Sequence, residues 1–298
     1  MPFATFEWSL RLAKLVANST RQRIDETSPL LSAALPSGER VQVVIPPATL
    51  SGQVAIAIRR PASATWSLAE LEQKGMFVGE DLRQATAEQL RCRRQAESFS
   101  EKLNEIEQPR ERTAFLSVLA DAVRQRRNIL VSGATGSGKT TLTKALIHAI
   151  DPGERLISIE DAAELSMDSH PNSVRLFYSK DGQGRASLNP RQLLESCLRL
   201  RPDRILLAEL RGEEAFYYLR NVNSGHPGSI TSIHASSAAG AIEQMVLLVK
   251  QSPEGRGLAR EDIRDLVHAS VDLVVQVGRG ESGERVVRQV WQSAVGGS

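Results

Sequence analysis

Short apolar runs alternate with segments of helical spacing over the second half of the chain. Four short runs with an apolar centre are typical of buried strands: NILVS (128–132), RLISIED (155–161), RILLAEL (204–210) and SITSIHA (229–235). Helical spacing occurs in TAFLSVLADAVRQ (113–125), TTLTKALIHAI (140–150) and LNPRQLLESCLRL (188–200). This alternation predicts an α/β fold with a mostly parallel sheet, right-handed crossovers and helices on both faces.

The first 60 residues predict a smaller α/β unit. RVQVVIPP (40–47) and GQVAIAIRRP (52–61) are typical of strands that end at proline. WSLRLAKLV (8–16) has the pattern of an amphipathic helix, with Arg11 and Lys14 on its polar side. The apolar face predicted for this helix consists of Trp8, Leu12, Leu15 and Val16. We expect the helix to pack on its own domain; the alternative is a role at a membrane surface.

A polar, charge-rich stretch separates the two patterned regions. Residues 76–112 have helical content but little apolar periodicity, which is typical of a linker. Arg91, Arg93 and Arg94 in this stretch are flanked by acidic residues, so a solvated helix face is favoured over a nucleic-acid site. We therefore predict an N-terminal α/β domain over 1–75, a helical linker over 76–112 and a second α/β domain over 113–298.

Composition narrows the class of protein. The 298 residues are 41% hydrophobic and 24% charged, as in ordinary globular proteins. A net charge of +2 is too small to indicate a nucleic-acid partner. Two distant cysteines, Cys92 and Cys197, argue against a disulfide framework or a zinc ribbon and favour a reducing compartment. No apolar run approaches the roughly 20 residues that span a bilayer, and no secretory signal opens the chain.

A glycine-rich segment, LVSGATGSGKTTL (130–142), lies between a predicted strand and a predicted helix. Its spacing is that of a P-loop, whose backbone N–H groups cradle phosphates. We predict that Lys139 neutralises the β- and γ-phosphates of ATP and that Thr140 is a ligand of Mg²⁺. An ordinary glycine turn is the alternative, but it has no need of a lysine followed by threonine. The predicted nucleotide-binding residues are Gly133, Ala134, Thr135, Gly136, Ser137, Gly138, Lys139, Thr140 and Thr141.

Further polar residues follow other predicted strands, at the edge where ligands of parallel sheets bind. We predict that Glu209 binds Mg²⁺ or its water shell. Glu160 is the expected base for the attacking water and is favoured over Glu164, because it is nearer the strand end. His234 is expected to sense the γ-phosphate by hydrogen bonding. The role of His226 is open, with ordering of its loop as the simplest alternative.

Four segments together resemble the hexameric secretion or traffic ATPases, a branch of the RecA-like P-loop fold. The segments are GATGSGKT, ISIEDAAEL, RPDRILLAELRGEEAF and SGHPGSITSIHA. SCLRLRPDRILLAELRG and GERVQVVIPP are most similar to the ATPases of type IV secretion systems, which power conjugation and effector export. The resemblance covers nearly the whole chain, and the polar stretch at 76–112 resembles the extended-linker branch of that family.

This resemblance implies a RecA-like ATPase domain preceded by a small N-terminal domain. It also implies a ring, expected to be a hexamer, whose nucleotide sites lie between neighbouring domains. Arg40 and Arg59 stand at the places where the family has basic residues that face the phosphates. The implied partners are other ATPases and inner-membrane components of the secretion machine, and the implied location is the cytoplasmic face of the inner membrane. The N-terminal domain is short for the family, so we expect a trimmed or reduced member.

Three rival functions are weighed against this one. A RecA-like DNA motor or helicase would need aromatic residues for base stacking, and aromatics are only 4% of the chain. A small-molecule kinase would need a lid, and no arginine-rich insertion of that kind is obvious. A scaffold that binds nucleotide without hydrolysing it is disfavoured by Glu160 and Glu209. The exported substrate, whether DNA, effector or pilus subunit, is not evident from the sequence.

Overall fold

A computed structural model of the protein describes residues 4–60, 64–77, 112–178 and 188–293. The chain divides into two compact units. The first unit comprises Met1–Ala64, Glu160–Glu164 and Phe177–Leu193, and the second comprises Thr65–Ile159, Leu165–Leu176 and Leu194–Ser298. Most of the predicted linker and the cluster at 91–94 lie outside the described residues. The domain boundaries given above therefore stay predictions.

The first unit is a helix packed on a three-stranded antiparallel sheet. Helix α1 is Phe6–Ser19, and the strands are β1 (Leu30–Ala34), β2 (Arg40–Val44) and β3 (Ala55–Arg59), in the order β1-β2-β3. The Thr5 side chain accepts a hydrogen bond from the Trp8 backbone N–H and so caps α1. Alternate residues of β2, Val41 and Val43, are buried in the core of this unit.

The face that α1 packs against the sheet matches the predicted one only in part: Val16 is buried and Leu12 packs partly buried against the core, whereas Trp8 and Leu15 are exposed. Its buried residues are Ser9, Ala13, Val16 and Ala17. The side chains of Trp8 and Leu15, expected on the apolar face, are 44% and 65% exposed. Because Ser9, Ala13 and Ala17 have short side chains, the helix can lie close to the sheet on the face that carries them. The larger side chains of Trp8 and Leu15 lie outside this face and are exposed. The expectation that α1 packs on its own domain is confirmed.

The rest of the described chain alternates helices and strands. Its helices are α2 (Leu68–Gln73), α3 (Arg112–Arg124), α4 (Lys139–His148), α5 (Pro190–Cys197), α6 (Glu214–Asn223), α7 (Ala238–Gln251) and α8 (Arg260–Ser270). Its strands are β4 (Ile129–Gly133), β5 (Leu156–Glu160), β6 (Ser173–Phe177), β7 (Arg204–Leu207), β8 (Ile230–Ile233), β9 (Leu273–Arg279) and β10 (Arg285–Gln292).

These strands form two sheets, ordered β10-β9-β4-β8 and β6-β5-β7. Strand β4 is parallel to both β8 and β9, and β5 is parallel to β7, while β9 and β10 form an antiparallel hairpin. A bridge between Leu210 and Ile233 connects the chain after β7 with β8. All residues of β4, β5, β7 and β8 are buried, as expected for strands of a parallel sheet that is covered by helices. The predicted α/β class with a parallel sheet is confirmed.

The first residue of β7, Arg204, is a buried cation in this core. Its side chain is 1% exposed, and its Nε and Nη2 atoms donate to the two carboxylate oxygens of Glu154 at 2.8 and 2.7 Å. This paired geometry satisfies both oxygens of the carboxylate, which a buried ion pair requires. The pair ties β7 to the turn that precedes β5.

One of the two cysteines lies among the described residues. Cys197 is a buried free thiol, and burial raises its pKa to about 12; Cys92 lies outside the described residues. Over the described ranges, no helix is long and apolar enough to cross a membrane.

Candidate nucleotide site

The glycine-rich loop connects β4 to α4, as the strand–loop–helix pattern predicts. Gly133 ends β4, and a Cβ atom there would lie 2.4 Å from the backbone oxygen of Val277. Gly138 immediately precedes α4 with φ of 107°, in the left-handed region that favours glycine. These two positions therefore require glycine for close approach and for backbone conformation. The loop has the shape expected of a backbone cradle for phosphate at the N-terminus of α4.

The Lys139 side chain folds back over this loop. Its Nζ atom donates to the backbone oxygens of Gly133 at 2.8 Å and Ala134 at 3.2 Å. It also lies 3.1 Å from Nδ1 of His234, at the end of β8. Because an ammonium group can only donate, Nδ1 of His234 must accept this hydrogen bond. The lysine thus connects the loop with the next strand of the sheet.

Glu209, just after β7, continues this connection. Its Oε1 atom lies 2.7 Å from Nε2 of His234, so a neutral His234 carries its proton on Nε2 and donates it to the carboxylate. Its Oε2 atom accepts a hydrogen bond of 2.6 Å from Nε of Arg211, whose Nη2 atom also pairs with it. The result is a continuous chain from Lys139 through His234 and Glu209 to Arg211.

Sheet topology explains why these residues meet. The P-loop, His234 and Glu209 follow β4, β8 and β7, whose carboxyl ends are brought together by the β4–β8 pairing and by the Leu210–Ile233 bridge. The sequence predicted that these three would share an edge, and the structure brings them together. Arg211 was missed, although its position two residues after Glu209 in AELRG was a usable signal.

The acidic segment after β5 belongs to the first unit. The Glu160 side chain is fully buried, and its Oε2 atom accepts a hydrogen bond of 2.8 Å from the Glu164 backbone N–H. Arg40 pairs through Nη2 with Asp161 at 2.6 Å and with Glu164 at 3.1 Å. Arg59 is the register partner of Arg40 across the β2–β3 pair and is exposed. Assignment of both arginines to phosphate contacts stays a prediction.

The second histidine of the histidine box has a different environment. Nδ1 of His226 lies 3.2 Å from the backbone oxygen of Pro202, and because a carbonyl oxygen only accepts, Nδ1 carries the proton. This contact joins the segment before β8 to the segment before β7. It favours the simpler interpretation, in which His226 orders its loop.

Comparison with known proteins gives the family. The model of the family described as Type II/IV secretion system protein matches residues 7–279. The type IV secretion system protein VirB11 of Bartonella quintana is 49% identical over 290 residues, which cover 96% of this chain and 80% of the relative. VirB11 of Brucella suis biovar 1 is 40% identical over 295 residues, which cover 98% of this chain and 78% of the relative.

Solved structures agree with this assignment. The crystal structure of the VirB11 ATPase from the Brucella suis type IV secretion system, in complex with sulphate, matches with a TM-score of 0.59 and 39% identity. The match covers 97% of this chain and 81% of that one. The ATPase DotB of Legionella pneumophila, at 18% identity, matches with a TM-score of 0.54 over 94% of this chain and 67% of that one, and shows the fold alone. This chain belongs to the type II/IV secretion system protein family and has its RecA-like P-loop fold.

Proposed function

We propose that the protein is an ATPase that powers transport by a type IV secretion system. The observation that carries this proposal is the chain of contacts from Lys139 through His234 to Glu209 beside the P-loop. Relatives at 40–49% identity over nearly the whole chain are type IV secretion proteins, which supports the same function. The helicase alternative has no support among these relatives.

The loop residues fit a bound nucleotide. Glycine at 133 and 138 leaves room for close backbone approach, and Lys139 is held at the loop by two of its carbonyl oxygens. We assign nucleotide contacts to residues 133–141. Bound Mg²⁺ would supply positive charge that neutralises the β- and γ-phosphate oxygens. Thr140 and Glu209 are the residues assigned to hold it, and since both Glu209 oxygens already have protein partners, the carboxylate would act through the water shell of the ion.

His234 is assigned the role of phosphate sensor. It shares a hydrogen bond with the Lys139 ammonium group, which is also the group assigned to the γ-phosphate. A γ-phosphate would compete with Nδ1 of His234 for that ammonium group. Nε2 of the same ring is hydrogen-bonded to Glu209. A movement of Lys139 that shifts the imidazole would therefore also shift the Glu209 carboxylate. Arg211 holds the other oxygen of Glu209 and so limits its movement.

Glu160 is assigned the role of general base. A carboxylate that removes a proton from the attacking water typically contributes 10²–10⁴-fold to a rate. Its hydrogen bond from the Glu164 backbone N–H fixes the orientation of the carboxylate. Glu164 is the less favoured candidate, since its own carboxylate is paired with Arg40.

The finer features of the motor are also proposals. We assign a homo-oligomeric ring, expected to be a hexamer, in which Arg40 and Arg59 of the first unit approach the phosphates. The ring would dock on other ATPases and inner-membrane components of the machine, peripherally at the cytoplasmic face of the inner membrane. The sequence-based domain boundaries, at 75 and 112, remain part of this proposal.

A direct assay tests the function. Wild-type protein should hydrolyse ATP in the presence of Mg²⁺, and Lys139→Ala should abolish turnover while its circular dichroism spectrum remains unchanged. Single-stranded DNA should leave the rate of hydrolysis unchanged, whereas a helicase would be stimulated. Hydrolysis by Lys139→Ala at the wild-type rate would overturn the assignment of the P-loop.

A further inference from the structure

The C-terminal hairpin of β9 and β10 brings two arginines to the P-loop. Strand β9 lies directly beside β4, with Val277 opposite Gly133 in the parallel register. Two residues later β9 ends at Arg279, and β10 begins at Arg285, its register partner across the hairpin. The hairpin therefore presents both guanidinium groups at the edge of the sheet where the phosphate loop begins.

Both arginines lie close to glycines of the loop. A Cβ atom at Gly136 would lie 3.5 Å from Nη2 of Arg279, and one at Gly138 would lie 2.9 Å from Cδ of Arg285. Nη1 of Arg285 donates a hydrogen bond of 3.3 Å to Oγ1 of Thr141, in the first turn of α4. The methylene groups of Arg285 thus pack over Gly138 while its charged end reaches the start of the helix.

The order of strands separates the hairpin from the lysine–histidine pair. In the order β10-β9-β4-β8, the hairpin lies on one side of β4 and β8, which carries His234, lies on the other. The Lys139 ammonium group contacts His234, so the β- and γ-phosphates are expected on the β8 side of the loop. The α-phosphate, which the backbone of a P-loop also cradles, would then lie on the hairpin side, next to Thr141 and Arg285.

We infer that Arg285 is a nucleotide-binding residue, which exchanges its hydrogen bond with Thr141 for one with the α-phosphate. This inference rests on the proposed ATPase function. A guanidinium group binds a charged phosphate oxygen more strongly than a neutral hydroxyl. Arg279 adds positive charge beside Gly136, and the contact with the α-phosphate is assigned to Arg285 alone. Because ATP and ADP share the α-phosphate, the contact contributes equally to the affinity for both nucleotides.

The test measures nucleotide binding, independently of turnover. Arg285→Gln removes the charge and keeps two of the three methylene groups that pack over Gly138, those of Cβ and Cγ, whereas Arg285→Ala removes the charge and the packing. Arg260→Ala is the matched control, because it removes one arginine from α8, where the side chain pairs with Glu243. Affinities for ADP and for a non-hydrolysable ATP analogue would be measured by isothermal titration calorimetry, with unchanged thermal unfolding as the check on folding.

We expect Arg285→Gln to weaken the binding of both nucleotides by the same factor, about tenfold, as loss of a charge-assisted hydrogen bond does. Arg260→Ala should bind both nucleotides with wild-type affinity. Wild-type affinity of Arg285→Gln for both nucleotides would overturn the inference and leave the ATPase function standing. A loss confined to the ATP analogue would also overturn it, because the contact would then be with the γ-phosphate. If the wild-type protein itself bound neither nucleotide, the proposed function would fail instead.

Discussion

The Nζ atom of Lys139 lies 3.1 Å from Nδ1 of His234, 95 positions further along the chain. The other nitrogen of the same ring lies 2.7 Å from the Glu209 carboxylate. One imidazole therefore connects the cation of the P-loop with the acidic residue that follows β7. Each member of this chain constrains the next, so a change at the phosphate loop can alter the position of a carboxylate on another strand.

Removal of the imidazole should separate these two groups. We expect His234→Ala to lower kcat by about 10- to 100-fold, since hydrogen bonds to charged groups contribute about 1.5–3 kcal/mol. His226→Ala is the matched control, because His226 contacts only a backbone oxygen among the partners described for it, that of Pro202. Steady-state ATPase assays on both variants compare the two histidines. Equal kcat values for His234→Ala and His226→Ala would contradict the sensor role.

The two glutamates of the acidic segment can be distinguished by amide substitution. Glu160→Gln retains an oxygen that can accept the Glu164 backbone N–H, so the local turn should persist while the base is lost. We expect this variant to bind ATP and to hydrolyse it 10²–10⁴-fold more slowly, the range typical of a lost general base. Single-turnover measurements isolate that step.

Glu164→Gln is the control for this experiment. It should retain most of the wild-type rate, because the carboxylate of Glu164 is paired with Arg40. Glu209→Gln should also bind ATP and turn it over slowly, through weakened binding of Mg²⁺. A slow Glu164→Gln together with a normal Glu160→Gln would show that the wrong carboxylate has been assigned as base.

Local sequence signals predicted those parts of the site that depend on one segment. The P-loop was readable because glycine and lysine at fixed spacing join a strand to a helix, and the strand ends were readable from short apolar runs. Contacts that depend on the order of strands in the sheet could not be predicted from such local signals. Arg285 reaches Thr141 only because the chain returns through a hairpin beside β4, and no local pattern near residue 285 indicates that neighbour.

The N-terminal helix shows a different limit of sequence analysis. Trp8 and Leu15 carry large apolar side chains, and periodicity alone places them in the core. The structure instead buries Ala13 and Ala17, which lie four positions apart on a neighbouring face. A helix that packs closely on a sheet requires side chains on the contact face that are small as well as hydrophobic. Hydropathy does not distinguish these two requirements.

Removal of one partner of the buried Arg204–Glu154 pair should destabilise the second unit. We expect Arg204→Ala to lower the free energy of unfolding by about 3 kcal/mol, because the Glu154 carboxylate, 12% exposed, would lose its bidentate partner. Arg126, 3.2 Å from the same carboxylate, should limit the loss. Arg264→Ala, which breaks a pair with Glu243 on the surface, should change the stability by less than about 1 kcal/mol. Chemical denaturation compares the two variants, and similar values would contradict this ranking.

The last prediction concerns Arg40, whose surroundings allow two different roles. Its Nη2 atom is paired with Asp161 and Glu164, while its buried Nε atom has no hydrogen-bond partner among the described residues. A ligand can shift an arginine between partners only if it binds that arginine more strongly than the existing partners do. If Arg40 binds the γ-phosphate, Arg40→Ala should weaken ATP affinity about tenfold and ADP affinity much less.

Arg59, opposite Arg40 in the register of β2 and β3, provides the matched comparison. If Arg59 is a second phosphate ligand, Arg59→Ala should lower the affinity for ATP about as much as Arg40→Ala does, and the affinity for ADP much less. If Arg40 instead only orders the acidic segment, Arg40→Ala should slow turnover with both affinities unchanged, and Arg59→Ala should behave as wild type. Calorimetric titration with ADP and an ATP analogue separates these outcomes. The same titration distinguishes Arg40 and Arg59 from Arg285. Because Arg285 is assigned to the α-phosphate, its substitution should lower the affinity for ADP and for the ATP analogue by the same factor.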